Sequence, residues 1–158
     1  MTKEIFLKFE RMTEDDIPAL TAIMTRAFDD ETQRFLGEPK GGPPGYDTGE
    51  FLQKWAFDEG GQGWKIIADN ETVGAFILFT NPEKDYWLGT IFIDPTHQNK
   101  KIGTRAWYFI EETYADAKTW NLDTPVWATR NHHFYEKLGF SQVNVWEDQI
   151  TYVKQKTP

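Results

Sequence analysis

The 158-residue chain has no cysteine. That excludes disulfides, thiolate metal sites and cysteine nucleophiles. Serine is nearly absent as well. Ser141 stands alone, which argues against a Ser-His-Asp hydrolase. No apolar run exceeds VGAFILF, residues 73–79, far short of a membrane span. The opening MTKEIFLKFERM is too short and too charged for a signal peptide. Positive charge is scarce, with 17 Lys and Arg against 25 Asp and Glu and a formal charge of -8. That balance argues against general nucleic-acid binding, which wants a basic face. It favours a cationic partner, because negative clefts concentrate positive ligands. These absences describe a soluble, cytoplasmic protein expected to bind neither nucleic acid nor membrane.

What is plentiful is aromatic bulk. Aromatics make up 16% of the chain and include seven tryptophans, enough for a packed interior and against disorder. The residues 4–12, EIFLKFERM, alternate as a first strand. From Thr13 to Leu36, Ile17, Leu20, Ile23, Met24, Ala27 and Phe28 fall on one helical face. Thr13 or Asp15 could cap that helix; Asp15 would place Pro18 in the first turn, where its missing N–H costs little. Five glycines and three prolines between Gly37 and Glu50 make a loop. A short helix follows over residues 46–60. GWKIIAD and TVGAFILFT form a hairpin, and YWLGTIFID adds a third strand closed by Asp94-Pro95. A helix is predicted over 103–118, a short strand at TPVWAT (124–129), and a helix over 131–140 ended by Gly139. SQVNVW and QITYVK close the chain as strands. The order β-α-α-β-β-β-α-β-α-β-β predicts a mixed α/β fold, one mostly antiparallel sheet with helices on its faces.

One basic stretch interrupts this acidic chain. HQNKKIGTRAW, residues 97–107, groups His97, Lys100, Lys101 and Arg105 around Gly103. The local grammar is strand, Asp-Pro, polar loop, glycine, helix. A helix N-terminus offers free N–H groups and a positive dipole end, a place for phosphate. Gln98 and Thr104 could add neutral hydrogen bonds, and Gly103 would allow close approach of a ligand. The same residues also describe an ordinary solvated face. The stretch is neither GxxxxGK[ST] nor GxGxxG, so it signals no P-loop or Rossmann site.

A second motif, NHHFYEKLGF at 131–140, lies about thirty residues on. Together, IFIDPTHQNKKIGTRA and NHHFYEKLGF resemble the GNAT superfamily of N-acetyltransferases. That family carries a (Gln/Arg)-x-x-Gly-x-(Gly/Ala) loop opening a long helix, then an Asn before a helix ending Tyr-x-x-x-Gly-Phe. The element order is similar across nearly the whole chain. Gln98 and Gly103 fit the loop, whereas the first glycine of the pattern falls at Lys101.

The resemblance implies one acetyltransferase domain over residues 1–158 and acetyl-CoA as co-substrate. It implies that the pyrophosphate sits on the backbone of Gln98, Asn99, Lys100, Lys101, Ile102, Gly103 and Thr104. The pantetheine arm would pair with Phe92 and Ile93 like an added strand. Asn131 would hydrogen-bond the arm or the reacting group, and Tyr135 would be the general acid for the leaving thiolate. The acceptor would be a small-molecule or peptide amine, the protein a monomer or homodimer, and the alternative a catalytically weak acyl-CoA-binding regulatory module. Asp29, Asp30, Glu31 and Asp85 are carboxylates available as a base, and a water chain would serve equally. Tyr46 and Trp87 would suit an amine with an apolar body. His97, His132 and His133 lack the spacing of a ligand pair, so no metal is expected; His133 is a minor catalytic candidate beside Asn131.

Overall fold

A computed structural model describes residues 4–156. The first three and last two residues, part of the expected 1–158 domain, lie outside the described residues. Seven strands form one sheet in the order β1-β2-β3-β4-β5-β7-β6. They are β1 (Leu7–Arg11), β2 (Gln62–Ala68), β3 (Glu71–Phe79), β4 (Asp85–Ile93), β5 (Thr119–Pro125), β6 (Ser141–Trp146) and β7 (Gln149–Gln155). Every neighbouring pair is antiparallel except β4 with β5. The helices are α1 (Ile17–Leu36), α2 (Glu50–Gln53), α3 (Ile102–Thr113) and α4 (Thr129–Lys137). The expected mixed, mostly antiparallel α/β fold is the one observed.

The helices divide between the two faces. Leu20, Ile23 and Met24 of α1 and Leu52 of α2 pack on Ala75, Ile77 and Phe92. On the other face Trp107 and Ile110 of α3 and Tyr135 of α4 pack on Phe76, Leu88 and Leu122. One irregularity makes this possible. Ile77 pairs with Thr90 and Leu78 with Leu88, so Gly89 is an extra residue in β4. Such a bulge reverses the alternation of side chains. Leu88 faces α3, while Phe92 faces α1. Gly89 has no room for a side chain, because a Cβ there would lie 2.6 Å from the Phe79 ring.

Local chemistry sets the boundaries. The Asp16 carboxylate accepts from the Thr13 N–H at 2.8 Å and precedes Ile17 as the cap position of α1. The preferred cap Asp15 is therefore displaced by one residue, within a turn of 3-10 helix that Thr13 opens. Gly37, at φ 72°, ends α1. The strand expected at 124–129 instead spans Thr119–Pro125, and α3 stops at Thr113 rather than 118. Trp120 and Leu122 are buried there, and the polar Asn121 between them is satisfied by the Asp85 carboxylate at 2.6 Å and the Tyr86 carbonyl at 3.0 Å. Val126–Ala128 form the turn into α4, with the Ala128 N–H donating to Pro125.

Candidate active site

β4 and β5 part company early. Their pairing runs only from Asp85↔Thr119 to Trp87↔Asn121, just before the Gly89 bulge. Beyond it the strands diverge and leave a cleft of about 750 Å³, within the size range of small-molecule sites. Its β4 wall includes Phe92 and Ile93, and its β5 wall Leu122 and Thr124. On this side the β4 backbone has no strand partner, so it offers N–H and C=O groups to an extended ligand. Gln98 already uses one of them, its Nε2 donating to the Ile93 carbonyl at 3.1 Å.

The basic stretch forms one end of this cleft. Asn99, Lys101, Ile102, Gly103 and Thr104 line it, whereas Lys100 does not and is exposed. Asn99 (φ 64°) and Lys101 (φ 62°) are left-handed, with Lys100 between them outside that region. Alternating handedness turns successive N–H groups to one side, the geometry of an anion nest. Lys101 caps α3 without a side-chain hydrogen bond. Among the described residues, no backbone N–H from Asn99 to Thr104 has an acceptor. Five of these six free donors, all but that of Lys100, belong to residues lining the cleft, and such a set at a positive helix end fits a pyrophosphate.

Two side chains there do other work. Arg105 donates to the Ile5 carbonyl at 2.8 Å, tying α3 to the N-terminal segment rather than adding charge to the nest. Gly103 makes room for the Phe134 ring, 3.1 Å from where its Cβ would stand, so its space is taken by α4. The loop is held from behind by Asp94, which accepts from Thr96 N–H at 3.1 Å and pairs with Arg26 at 2.6 Å. Burial pulls the Asp94 carboxyl upward, but Arg26 and Thr96 outweigh it and hold the group below the usual carboxylate range.

At the other end α1 meets α4. Asn131 Nδ2 donates to Glu31 Oε1 at 2.9 Å, joining residues a hundred positions apart. Tyr135, one turn beyond, is 8% exposed and also lines the cleft. Its hydroxyl has no hydrogen-bond partner among the described residues. Burial, reinforced by the Glu31 charge, raises the Tyr135 phenol well above its usual range. Glu31 is itself raised, by burial first, with Arg130 and Asn131 opposing and Asp30 assisting. A half-buried carboxylate and a buried phenol that feel each other, in one cleft, are suited to proton transfer.

The other carboxylates sort themselves by their contacts. Asp29 anchors the Gly/Pro loop, accepting from Tyr46 Oη at 2.6 Å, Gly41 N–H at 3.1 Å and Lys40 at 3.3 Å. Asp30 pairs with Arg34 on the surface. Asp85 holds Thr119 and Asn121 at the closed end of β4. Glu31 alone of the four lines the cleft. Sequence reasoning does not separate it from Asp29, Asp30 and Asp85. The sign that could have marked it is helical spacing, since Glu31 follows Ala27 and Phe28 of the apolar face by four and three positions. Tyr46 is a loop anchor, and its phenol is pushed up to about 12 by burial and by Asp29. Trp87 and His133 lie outside the cleft, and His132 bonds the Pro125 carbonyl at 2.9 Å.

Comparison with known proteins decides the family. The profile of the Acetyltransferase (GNAT) family matches residues 21–140. The chain belongs to the GNAT acetyltransferase family. An uncharacterized Bacillus subtilis protein, YrkN, is 27% identical over 141 residues, covering 88% of this chain and 75% of its own. Among solved structures, the PaiA N-acetyltransferase of Thermoplasma acidophilum in complex with coenzyme A superposes with a TM-score of 0.78 at 13% identity. That match covers 96% of this chain and 99% of the other. An acetyltransferase from Thermus thermophilus gives 0.77 at 19% identity, over 95% and 97%. At these identities the structures speak for the GNAT fold alone.

Proposed function

We propose that this GNAT chain is an acetyl-CoA-dependent N-acetyltransferase acting by direct attack of a primary amine, from a small molecule or peptide, in a ternary complex. Residues 1–158 would form one such domain. One observation carries the reading. A single cleft joins the anion nest at α3, the unpaired edge of β4, and the group Glu31, Asn131 and Tyr135.

The nest N–H groups of Asn99 to Thr104 hold the pyrophosphate. The β4 edge at Phe92 and Ile93 aligns the pantetheine arm, and a β4 N–H past the bulge polarises the thioester carbonyl. Acetyl-CoA supplies the activated acyl group. Glu31 accepts a proton from the incoming ammonium, freeing the lone pair that forms the C–N bond. As the C–S bond breaks, Tyr135 gives its proton to the sulfur, and the phenolate takes back the second proton that the nitrogen sheds on becoming an amide. The two transfers help each other. A negative Glu31 keeps the phenol protonated; once Glu31 has taken the amine proton, that charge is gone and the phenol parts with its own more readily. Asn131 holds Glu31 in place through their hydrogen bond.

The regulatory-module alternative turns on Lys101, which stands where the family pattern has a glycine. Its backbone already has the left-handed turn, which supports a working cradle. The test is thiol release from acetyl-CoA across a panel of primary amines. Release that depends on an amine is expected, with Tyr135→Phe lowering kcat about 100-fold and leaving acetyl-CoA affinity nearly intact. Coenzyme binding without release for any amine would favour the regulatory module, and unchanged turnover in the variant would remove Tyr135 from the mechanism.

A further inference from the structure

A second cavity of about 560 Å³ adjoins the first at the β4 bulge. The two share Pro43, Phe51, Gly89 and Thr90. From there it runs between α2 and the sheet, walled by Trp55, Ile77 and Phe79. Trp55 and Phe79 meet edge to face at 6.0 Å. The charged side chains bordering it, Glu50 and Lys54, are on exposed residues at its mouth.

The two arms that leave the bulge differ in chemistry. One leads to Glu31 and suits a cation. The other is apolar, and the cation that borders it is already paired, since Lys54 Nζ lies 4.7 Å from the Trp55 ring centroid. A second cation there would be repelled by that ammonium and would lose its water without a carboxylate in the interior to replace it. A reacting thioester carbon has four substituents in the tetrahedral state: sulfur, oxygen, the amine nitrogen and the acyl carbon. The gap between β4 and β5 receives the sulfur arm, the β4 backbone the oxygen, and Glu31 the nitrogen. The apolar chamber is left for the acyl chain.

The geometry points to a donor pocket for acyl groups longer than acetyl: the chamber lined by Phe51, Trp55, Ile77 and Phe79 takes the unbranched alkyl tail of an acyl-CoA. The inference rests on the acyltransferase reading above. The reaction balances as before, with the C–N bond formed, the C–S bond broken, one nitrogen proton passed to Glu31 and the second relayed through Tyr135 to the sulfur; only the length of the transferred acyl group changes.

The test is kcat/KM for acetyl-, butyryl- and octanoyl-CoA with one amine acceptor, in the wild type and in Phe79→Trp, which narrows the chamber. A site that fits only a methyl group rejects added methylenes by about 10–200-fold each. The chamber predicts butyryl-CoA at or above the acetyl-CoA value in the wild type, and a butyryl-to-acetyl ratio about tenfold lower in Phe79→Trp. Acetyl-CoA turnover with butyryl-CoA more than about 100-fold worse in the wild type would overturn the chamber and leave the transferase reading standing. So would an amine series in which Phe79→Trp discriminates between acceptor bodies but not between acyl chains. No turnover with any acyl-CoA would overturn both. The wild-type series decides the matter even if the variant does not fold.

Discussion

Glu31 shows how burial and charge single out one carboxylate from several as the candidate base. Asp29, Asp30 and Asp85 each have a structural partner, whereas Glu31 is held by Asn131 on the wall of the cleft. Its raised pKa has a consequence for stability. A carboxyl whose folded pKa exceeds its unfolded value favours folding below the unfolded value and withdraws that support as pH rises through the folded value. Ionised Glu31 is thus a net cost to the fold at neutral pH, offset in part by Arg130 and Asn131. Glu31→Gln keeps the hydrogen-bonding shape and removes the charge. It is expected to lower kcat about 100-fold at about pH 7, to abolish the acid limb of the kcat–pH profile that Glu31 sets, and to cost no thermal stability at that pH. An unchanged limb would assign the proton to another group. Tyr135 and Asn131 stand out as candidates in the sequence because the family pattern marks them. Glu31 does not, because its role depends on a helix end from one part of the chain meeting a helix start a hundred residues later.

At the scale of elements, the junction of the 98–101 loop with α3 matters most. Sequence alone located it, through Asp94-Pro95, Gln98 and Gly103, but read its glycine by analogy with a ligand-facing role; the structure gives that space to Phe134. It also shows why a glycine is usual at 101. Lys101 occupies a left-handed conformation that costs a residue with a Cβ about 1–2 kcal/mol. Glycine gives part of that back as extra freedom in the unfolded chain. Lys101→Gly should therefore raise stability by about 0.5–1 kcal/mol in denaturant unfolding and leave acetyl-CoA affinity within about twofold, since the nest uses the Lys101 backbone. A large loss of affinity would mean that the ammonium, not the N–H, holds the phosphate. The β5 boundary was misplaced for a related reason. Asn121 and Asp123 make the strand look irregular, and only the Asp85 carboxylate and Tyr86 carbonyl across the sheet explain a buried asparagine there.

On the scale of the whole molecule, the division of labour between the two sheet faces follows from one bulge at Gly89, and so does the cleft. Hydrophobic alternation predicted seven strands and the helices between them. It could not show where β4 would leave β5, because a bulge moves only the pairing and not the composition. Among the described residues no helix is long and apolar enough to cross a membrane, and the wall of the cleft carries the Glu31 carboxylate. The central claim is that this cleft holds acetyl-CoA by its nucleotide end. A thermal-unfolding titration with acetyl-CoA, set against an acetyl thioester lacking the nucleotide, measures it directly. At about 100 times its Kd the coenzyme should add about 2.7 kcal/mol, a rise in Tm of about 5–11 °C for a chain of this size, with little change from the truncated donor. No shift at millimolar acetyl-CoA, or an equal shift with the truncated donor, would contradict the nest at residues 99–104 as the anchor.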